Sequence, residues 1–407
     1  MMFKAKVLDQ AYGLSDVDDM QEAITHALPR NGHLALVSTQ HGLNALESKW
    51  LELEKNCKNI PSVFQSYNWI SSWAKTYITD KSKTELCIIT GFQGSKLVFV
   101  LPLMKQRRGP VTTLRWLTEP FGQYGDALIA ADQNSIAWLS NAVKLVERMK
   151  GIDIIRLRHV RADSNITNFC KTKMHDARLI EGAPFLDLTA YSNDESYDAR
   201  YTSTQRKRRK KIRKELEELG PIEFHILPNG ATSDAAISEA ISEKNKWLQE
   251  RGRQNRILKC PGHLQFLKNL SRLPNSGVEM VTSELRAGGK PISWEIGFNF
   301  HDIHFAYITS HVNALTDLSP GRLHMDLSQR NCIRQGLKKF DLMVPNDHHK
   351  ESWSSASVET SDYYIPLSTA GQIYGQVYLL TIRPIVRRVY YKTPAWLLKI
   401  IEPLFGI

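Results

Sequence analysis

Residues Phe305 to Trp353 read FAYITSHVNALTDLSPGRLHMDLSQRNCIRQGLKKFDLMVPNDHHKESW. Short apolar runs predict strands from Phe305 to Ser310 and from Lys339 to Val344, with a polar His/Lys loop after the second. Between them a helix opens at Ser319-Pro320-Gly321. Ser319 suits the N-cap, Pro320 the first helical position, and Gly321 leaves the helix start open to a close ligand. A helix that starts between two strands presents unpaired backbone N–H groups, which favour an anion such as a pyrophosphate.

Upstream of this stretch the chain predicts an antiparallel meander. Its strands are Val278 to Leu285, Ile292 to Phe300 and Ile303 to Ser310, with turns at Gly288-Gly289 and His301-Asp302. Before it come a strand from Ile222 to Leu227 and helices from Ser233 to Arg251 and Pro261 to Arg272. A charged helix from Thr202 to Leu219 is stopped by Gly220-Pro221. Ile212, Leu216 and Leu219 define its buried side, and Arg206, Arg209 and Arg213 share approximately one other face.

The first half repeats this outline. Strand His33 to Thr39 and helix Leu43 to Lys55 precede an aromatic segment, Pro61 to Thr79, in which Trp69, Trp73 and Tyr77 recur at every fourth position and read as a core-facing stripe. A hairpin follows from Glu85 to Phe92 and Lys96 to Lys105, then Arg115 to Leu117 and a Gly/Tyr/Asp loop from Phe121 to Leu128. A helix from about Asn134 to Lys150, a strand from Asp153 to His159 and a connecting strand from Pro184 to Leu188 complete it. The expected fold class is therefore mixed α/β with mainly antiparallel central sheets, in two similar halves. The expected divisions are an arm (1–32), two domains (33–195 and 196–380) and a basic amphipathic tail (381–407).

A chain of 407 residues exceeds what one hydrophobic core usually fills. An apolar fraction of 42% and a charged fraction of 23% exclude a mostly disordered or fibrous chain. The net charge of +11 is concentrated, with eight basic residues among the nine from Arg206 to Lys214 and five more from Arg383 to Lys399. Such runs suit phosphate, nucleic acid or an anionic membrane surface, or simply a solvated helix face. Five scattered cysteines without metal-type spacing suggest a reducing compartment and no metal site. The first residues lack the apolar core of a signal peptide, and no apolar run approaches the roughly 18 to 20 residues that span a bilayer. The expectation is a cytoplasmic protein. Peripheral contact with the inner membrane face is open to the tail, where Trp396, Leu397, Leu398, Ile400, Ile401, Leu404 and Phe405 mix with basic residues.

Several segments together resemble the GNAT-type acetyltransferases associated with bacterial cellulose and exopolysaccharide biosynthesis, the CelD/BcsL-like group. They are Phe64-Gln65-Ser66-Tyr67-Asn68-Trp69, Leu101-Pro102-Leu103, Tyr124-Gly125-Asp126 with Leu128, the Arg-rich helix ending in Leu219-Gly220, Leu318-Ser319-Pro320-Gly321, and Phe340-Asp341 followed by His349-Lys350-Glu351-Ser352-Trp353. They span about residues 33 to 365. The resemblance implies two GNAT-like halves in tandem, acetyl-CoA or a longer acyl-CoA as donor, and transfer to an amine or hydroxyl of a saccharide or other small acceptor. The same double architecture resembles the Fem-type aminoacyl-tRNA-dependent peptidyltransferases, so a tRNA donor is the alternative. A non-catalytic scaffold on the same fold is a third reading. Asn313 stands where the pattern expects Asp, and Val344-Pro345-Asn346 where a glycine-rich strand end is usual.

Acyl transfer from a thioester needs an anchored donor, a polarised carbonyl and a base for the acceptor's proton. For the donor the sequence nominates Ser319, Gly321, Arg322 and Leu323, with the backbone N–H groups of Gly321 to Leu323 facing the diphosphate. For the proton it nominates Glu295, whose carboxyl lies between Trp294 and Ile296, and His311, which titrates near neutrality without tuning; the loop pair His348 and His349 is a further candidate. Lys350 is implied near the reacting centre by the Fem-like resemblance. Arg209, Arg213, Tyr124, Asp126 and Trp353 are the candidate substrate contacts, although Trp353 more readily packs the loop than stacks a sugar.

Overall fold

The computed structural model describes residues 28–57, 59, 62–79, 82–253, 255, 257–273 and 277–393. The expected arm therefore enters only from residue 28, and the apolar tail residues from Trp396 onward lie outside the described residues. The chain divides into two compact units, Met1–Glu181 with Val358–Arg388, and Gly182–Ser357 with Val389–Ile407.

The first unit opens with β1 (Gly32–Val37), α1 (Gln40–Ala45) and α2 (Glu47–Lys55), followed by α3 (Tyr67–Tyr77). The aromatic stripe on α3 packs the core: Trp69 and Trp73 are buried, and the Trp69 indole donates to Thr118 Oγ1 at 3.1 Å. Next come β2 (Thr84–Gln93), β3 (Lys96–Arg108), β4 (Val111–Trp116), the short β5 (Leu128–Ile129), α4 (Ser135–Arg148) and β6 (Ile154–Arg161). Asn134 caps α4, its side chain accepting from the N–H groups of Ile136 and Ala137. Helix α5 (Thr167–Lys173) precedes β7 (His175–Asp187), within which the chain passes to the second unit.

The second unit continues with α6 (Asp194–Ala199), the basic helix α7 (Ser203–Glu217), β8 (Ile222–Leu227), α8 (Ala231–Glu250) and α9 (His263–Ser271). The meander is β9 (Val278–Ala287), β10 (Lys290–Phe300) and β11 (Ile303–His311). Then follow α10 (Pro320–Arg334), β12 (Lys339–Asp341) and the one-turn α11 (His348–Glu351). Strand β13 (Ala356–Pro366) returns the chain to the first unit, where α12 (Thr369–Ile373), a π-wound stretch (Tyr374–Ile382) and α13 (Arg383–Lys392) run on in succession, the first unit ending within α13 at Arg388.

Each unit has the same plan. In the first, the strand order is β1-β2-β3-β4-β6-β13, antiparallel except for β4 and β6, which run parallel over Thr113↔Ile154 to Arg115↔Arg156. In the second it is β8-β9-β10-β11-β12 and the end of β7, antiparallel except for β11 and β12. In both, a helix (α4 or α10) crosses between the two parallel strands, as a parallel pair requires.

Several local expectations are corrected. The strand expected to reach Val344 stops at Asp341, whose carboxylate accepts the Met343 N–H at 2.8 Å and turns the chain, with Met343 at φ 59°. The strand expected at Pro184 is the end of the much longer β7. The loop after β12 contains a helical turn, because the Asp347 side chain accepts the Lys350 N–H and caps it. Leu219 does not bury with Leu216: it is exposed, past the end of α7 and just before Gly220 at φ 125°.

Candidate functional site

In the second unit β11 and β12 pair over only three positions, Ile303↔Lys339 to Phe305↔Asp341, while β11 runs on to His311. Asn313–Leu318 then forms a 3₁₀ stretch and delivers the chain to α10. This stretch is tied to α8 by the Asn313 N–H, which donates to Glu243 Oε2 at 3.2 Å. The start of α10 therefore stands beside the free end of β11, where paired strands have parted.

Pro320 occupies the first turn as expected, but Ser319 does not cap the helix with its side chain. It sits in the left-handed region (φ 57°, ψ 45°), which turns the hydroxyl away from the helix N–H groups. Its carbonyl accepts the Arg322 N–H at 3.0 Å instead. Of the three N–H groups nominated for an anion, that of Arg322 is thus already engaged.

His311 closes β11 beside this turn. Its Nε2 lies 3.1 Å from Thr316 Oγ1, and that hydroxyl donates its one hydrogen to the Asn313 carbonyl at 2.8 Å. In the tautomer in which Nε2 donates to Thr316 Oγ1, Nδ1 is the lone-pair nitrogen. A β-carbon at Gly321 would stand 3.7 Å from this Nδ1. Burial, and then the charges of Lys244 and Arg251, hold the His311 pKa below its ordinary value, so the ring is neutral at pH 7. His349 is shifted the same way, by burial first and Arg322 next. The Lys244 ammonium is itself depressed by burial.

A groove of about 860 Å³ lies along α7 and α10. Arg322, Leu323, Arg209, Arg213 and Trp353 all line it, with His348 and His349; Ser319, Gly321, His311 and Glu295 do not. The Arg209 guanidinium lies 3.6 Å from the Tyr201 ring centroid and 4.3 Å from that of buried Trp353, and it is ion-paired to Asp326. Arg330 pairs with Asp326 and Asp198, and Arg213 with Glu217 at 3.0 Å. Arg208 and Arg322 have no carboxylate partner among the described residues. Burial, followed by the neighbouring charges of Arg208 and Arg209, lowers the Arg322 pKa. Guanidiniums without a carboxylate partner among the described residues suit a phosphate-type anion in charge and hydrogen-bonding geometry.

The remaining nominees are placed elsewhere. Glu295 is buried in β10 with Oε1 3.0 Å from His304 Nε2, and His304 Nδ1 is 2.7 Å from Asn299 Oδ1, so its carboxyl belongs to an interior chain of hydrogen bonds. Lys350 Nζ donates to the carbonyls of Met343 and Pro345 at 2.9 and 3.0 Å, and so braces the loop after β12. Tyr124 and Asp126 are buried in the first unit. Asp126 accepts from the N–H groups of Ala127 and Asn165 and from the Asn165 side chain, so its polar atoms serve the local fold. Sequence reading missed Glu243, Lys244 and Arg208. Glu243 and Lys244 carried no signal beyond membership of an ordinary charged helix, whereas Arg208 lay in the basic run without being singled out.

A family model described as Acetyltransferase (GNAT) domain matches residues 203–351. No match was found among curated proteins. Among solved structures the chain is similar to FemX, at 10% identity and a TM-score of 0.55, over 81% of this chain and 98% of that one. It is also similar to the C-terminal domain (DUF2156) of a putative lysylphosphatidylglycerol synthetase from Agrobacterium fabrum, at 8% identity and a TM-score of 0.51, over 84% of this chain and 96% of that one. A tandem GNAT protein from the clavulanic acid biosynthesis pathway aligns at 11% identity over 83% of this chain and 99% of that one, with a TM-score of 0.47, too low to add weight. At such identities the likeness shows a shared fold and not a shared reaction. Residues 203–351, all within the second unit, thus match a GNAT acetyltransferase domain, in a mixed α/β chain of two GNAT-like halves.

Proposed function

We propose that the second unit transfers an acyl group from acetyl-CoA or a longer acyl-CoA to an amine or hydroxyl of a sugar or envelope precursor, the activity of the CelD/BcsL-like exopolysaccharide group. The observation that carries this reading is the pair Arg208 and Arg322, two guanidiniums of the α7/α10 groove without carboxylate partners among the described residues, with Arg322 on the first turn of α10. The donor's phosphates supply the missing negative charge, and its thioester supplies an activated carbonyl. His311 Nδ1 is the base. It takes the acceptor's proton as the new C–N or C–O bond forms and the C–S bond breaks, with the electron pair leaving on the CoA sulfur, which takes up a proton. A neutral imidazole with Nδ1 unengaged among the described residues, beside the first turn of α10, suits that step better than Lys350, whose ammonium is hydrogen-bonded to the Met343 and Pro345 carbonyls, or Glu295, which is buried in β10 outside the groove with Oε1 on His304.

A tRNA donor is the second reading, supported by the outer face of α7. Lys207, Lys211 and Lys214, which do not line the groove, are all exposed there and could follow a phosphate backbone. Mass spectrometry of ligand carried through purification tests both. Co-purified CoA or acyl-CoA supports the first reading, and co-purified tRNA, released as salt is raised, replaces it with the second.

A further inference from the structure

The helical run 369–392 carries an apolar surface that the acyl-transfer reading does not use. One side is fixed to the first unit. A β-carbon at Gly371 would stand 1.8 Å from the Asp153 carbonyl oxygen, and one at Gly375 would stand 2.4 Å from the Tyr364 ring, so both glycines permit close docking. Leu379 is buried with Val111, Ile154, Ala177 and Tyr364. Arg383 pairs with Asp362 at 2.8 Å, and Arg387 with Glu181.

Away from these contacts Ile373, Val377, Tyr378, Ile382, Ile385 and Val386 are between 40% and 58% exposed. Their alignment depends on the π winding of Tyr374–Ile382, in which the Arg383 N–H reaches back five residues to the Tyr378 carbonyl. In an ordinary α-helix Ile373 and Ile382, nine residues apart, would be separated by about 2.5 turns and face opposite ways. With i→i+5 bonding nine residues complete roughly two turns, and the two isoleucines return to one side. A π stretch of this length is uncommon, and here it gathers apolar side chains onto a face that is exposed among the described residues.

Charge identifies the occupant. From Tyr363 to Ile401 there is no aspartate or glutamate, while Arg383, Arg387, Arg388, Lys392 and Lys399 are basic. Arg383 and Arg387 are ion-paired on the docked side and Arg388 is exposed; an exposed apolar surface within an acid-free, basic stretch of sequence that also holds tyrosines and a tryptophan matches the interface of an anionic bilayer. Among the described residues no helix is long and apolar enough to cross a membrane. We infer that 369–392 is a peripheral docking helix that lays its π-wound apolar face on an anionic lipid surface. This does not rest on the assigned reaction.

Co-sedimentation of the full chain with vesicles tests it. The expected result is binding to phosphatidylglycerol-containing vesicles, about tenfold weaker binding to pure phosphatidylcholine, and loss of at least about tenfold in the double variant V377D/I385D with an unchanged melting temperature. Because both side chains are exposed, the variant should fold; should its melting temperature fall, V377S/I385S with an unchanged melting temperature supplies the same comparison. Failure of the wild-type chain to sediment with anionic vesicles at low salt would overturn the proposal, as would folded variants that bind like wild type. Concentration-dependent dimerisation abolished by V377D/I385D, without vesicle binding, would assign the face to a second copy of the chain and equally overturn it.

Discussion

Gly321 stands against His311, with 3.7 Å separating the position of a β-carbon on the glycine from the Nδ1 of the imidazole. The first turn of α10 and the end of β11 are thereby brought together, so Arg322 of the groove follows directly on a glycine set against an imidazole whose Nδ1 is unengaged among the described residues. Bringing an anchor and a base together is what acyl transfer needs, and on the proposed reading adjacency in the fold does it across the nine residues between His311 and Gly321.

His311→Gln is expected to lower kcat/KM by roughly 10² to 10⁴ without changing the melting temperature. In the wild-type enzyme kcat/KM should rise with pH and level off below the ordinary histidine value of about 6.5, because burial and neighbouring cations depress this ring's pKa. The limb should vanish in the variant, and a pH–rate profile of both proteins checks it.

Gly321→Ala should be nearly silent, since a β-carbon there meets only ordinary van der Waals contact. Gly321→Asp places a negative charge beside the proposed phosphate site and should raise the KM for acyl-CoA about tenfold or more, with little loss of stability. Steady-state kinetics of the two variants, compared with their melting temperatures, separates charge from size.

Lys350→Met removes two hydrogen bonds to the carbonyls of Met343 and Pro345 and should act through the loop. The expected result is a lower melting temperature and a raised KM with kcat largely kept. A collapse of kcat at unchanged stability would instead put the ammonium at the reacting atoms.

Asp362→Asn should destabilise the first unit by about 3 to 5 kcal/mol, since this buried carboxylate lies 2.8 Å from Arg383, 3.4 Å from Arg158 and 4.0 Å from Arg156. Denaturant melts at pH 7 measure it. Those arginines hold the Asp362 pKa down, and hydrogen bonding to His159 lowers that of Glu181 to about 2. Their stabilisation is complete above the unfolded carboxylate values and is lost as pH falls through the depressed ones.

Glu54 behaves in the opposite sense. Burial raises its pKa to about 7 although Oε1 accepts the Tyr67 N–H at 2.6 Å. Its contribution is present below about pH 4.5 and disappears as pH rises through 7, a span worth roughly 3 kcal/mol. Glu54→Gln, which can keep the Tyr67 hydrogen bond, should flatten the stability profile between pH 5 and about 7.5.

Much of the fold was legible because periodicity and punctuation agreed. The strand Ile222–Leu227 and the two turns of the meander fell where Gly, Asp and alternating apolar residues put them. What failed was decided by interactions remote in sequence or by unusual backbone: Ser319 in the left-handed region, Asp341 turning the chain after three strand residues, and the π winding after Ile373. Arg322 and His311 were legible as residue types at a helix start and a strand end. Arg208 gained its meaning only when α7 and α10 were seen to share a groove, and Lys244 only when α8 brought its charge near His311.

The central claim is that the guanidiniums of Arg208 and Arg322, without carboxylate partners among the described residues, hold the phosphates of an acyl-CoA. Isothermal titration of acetyl-CoA into the wild-type chain and into Arg322→Ala tests it most directly. Saturable one-site binding by the wild type, weakened about tenfold or more in a variant of unchanged melting temperature, is the predicted result. Equal affinity in the two proteins, or no acetyl-CoA binding by the wild type, would contradict it.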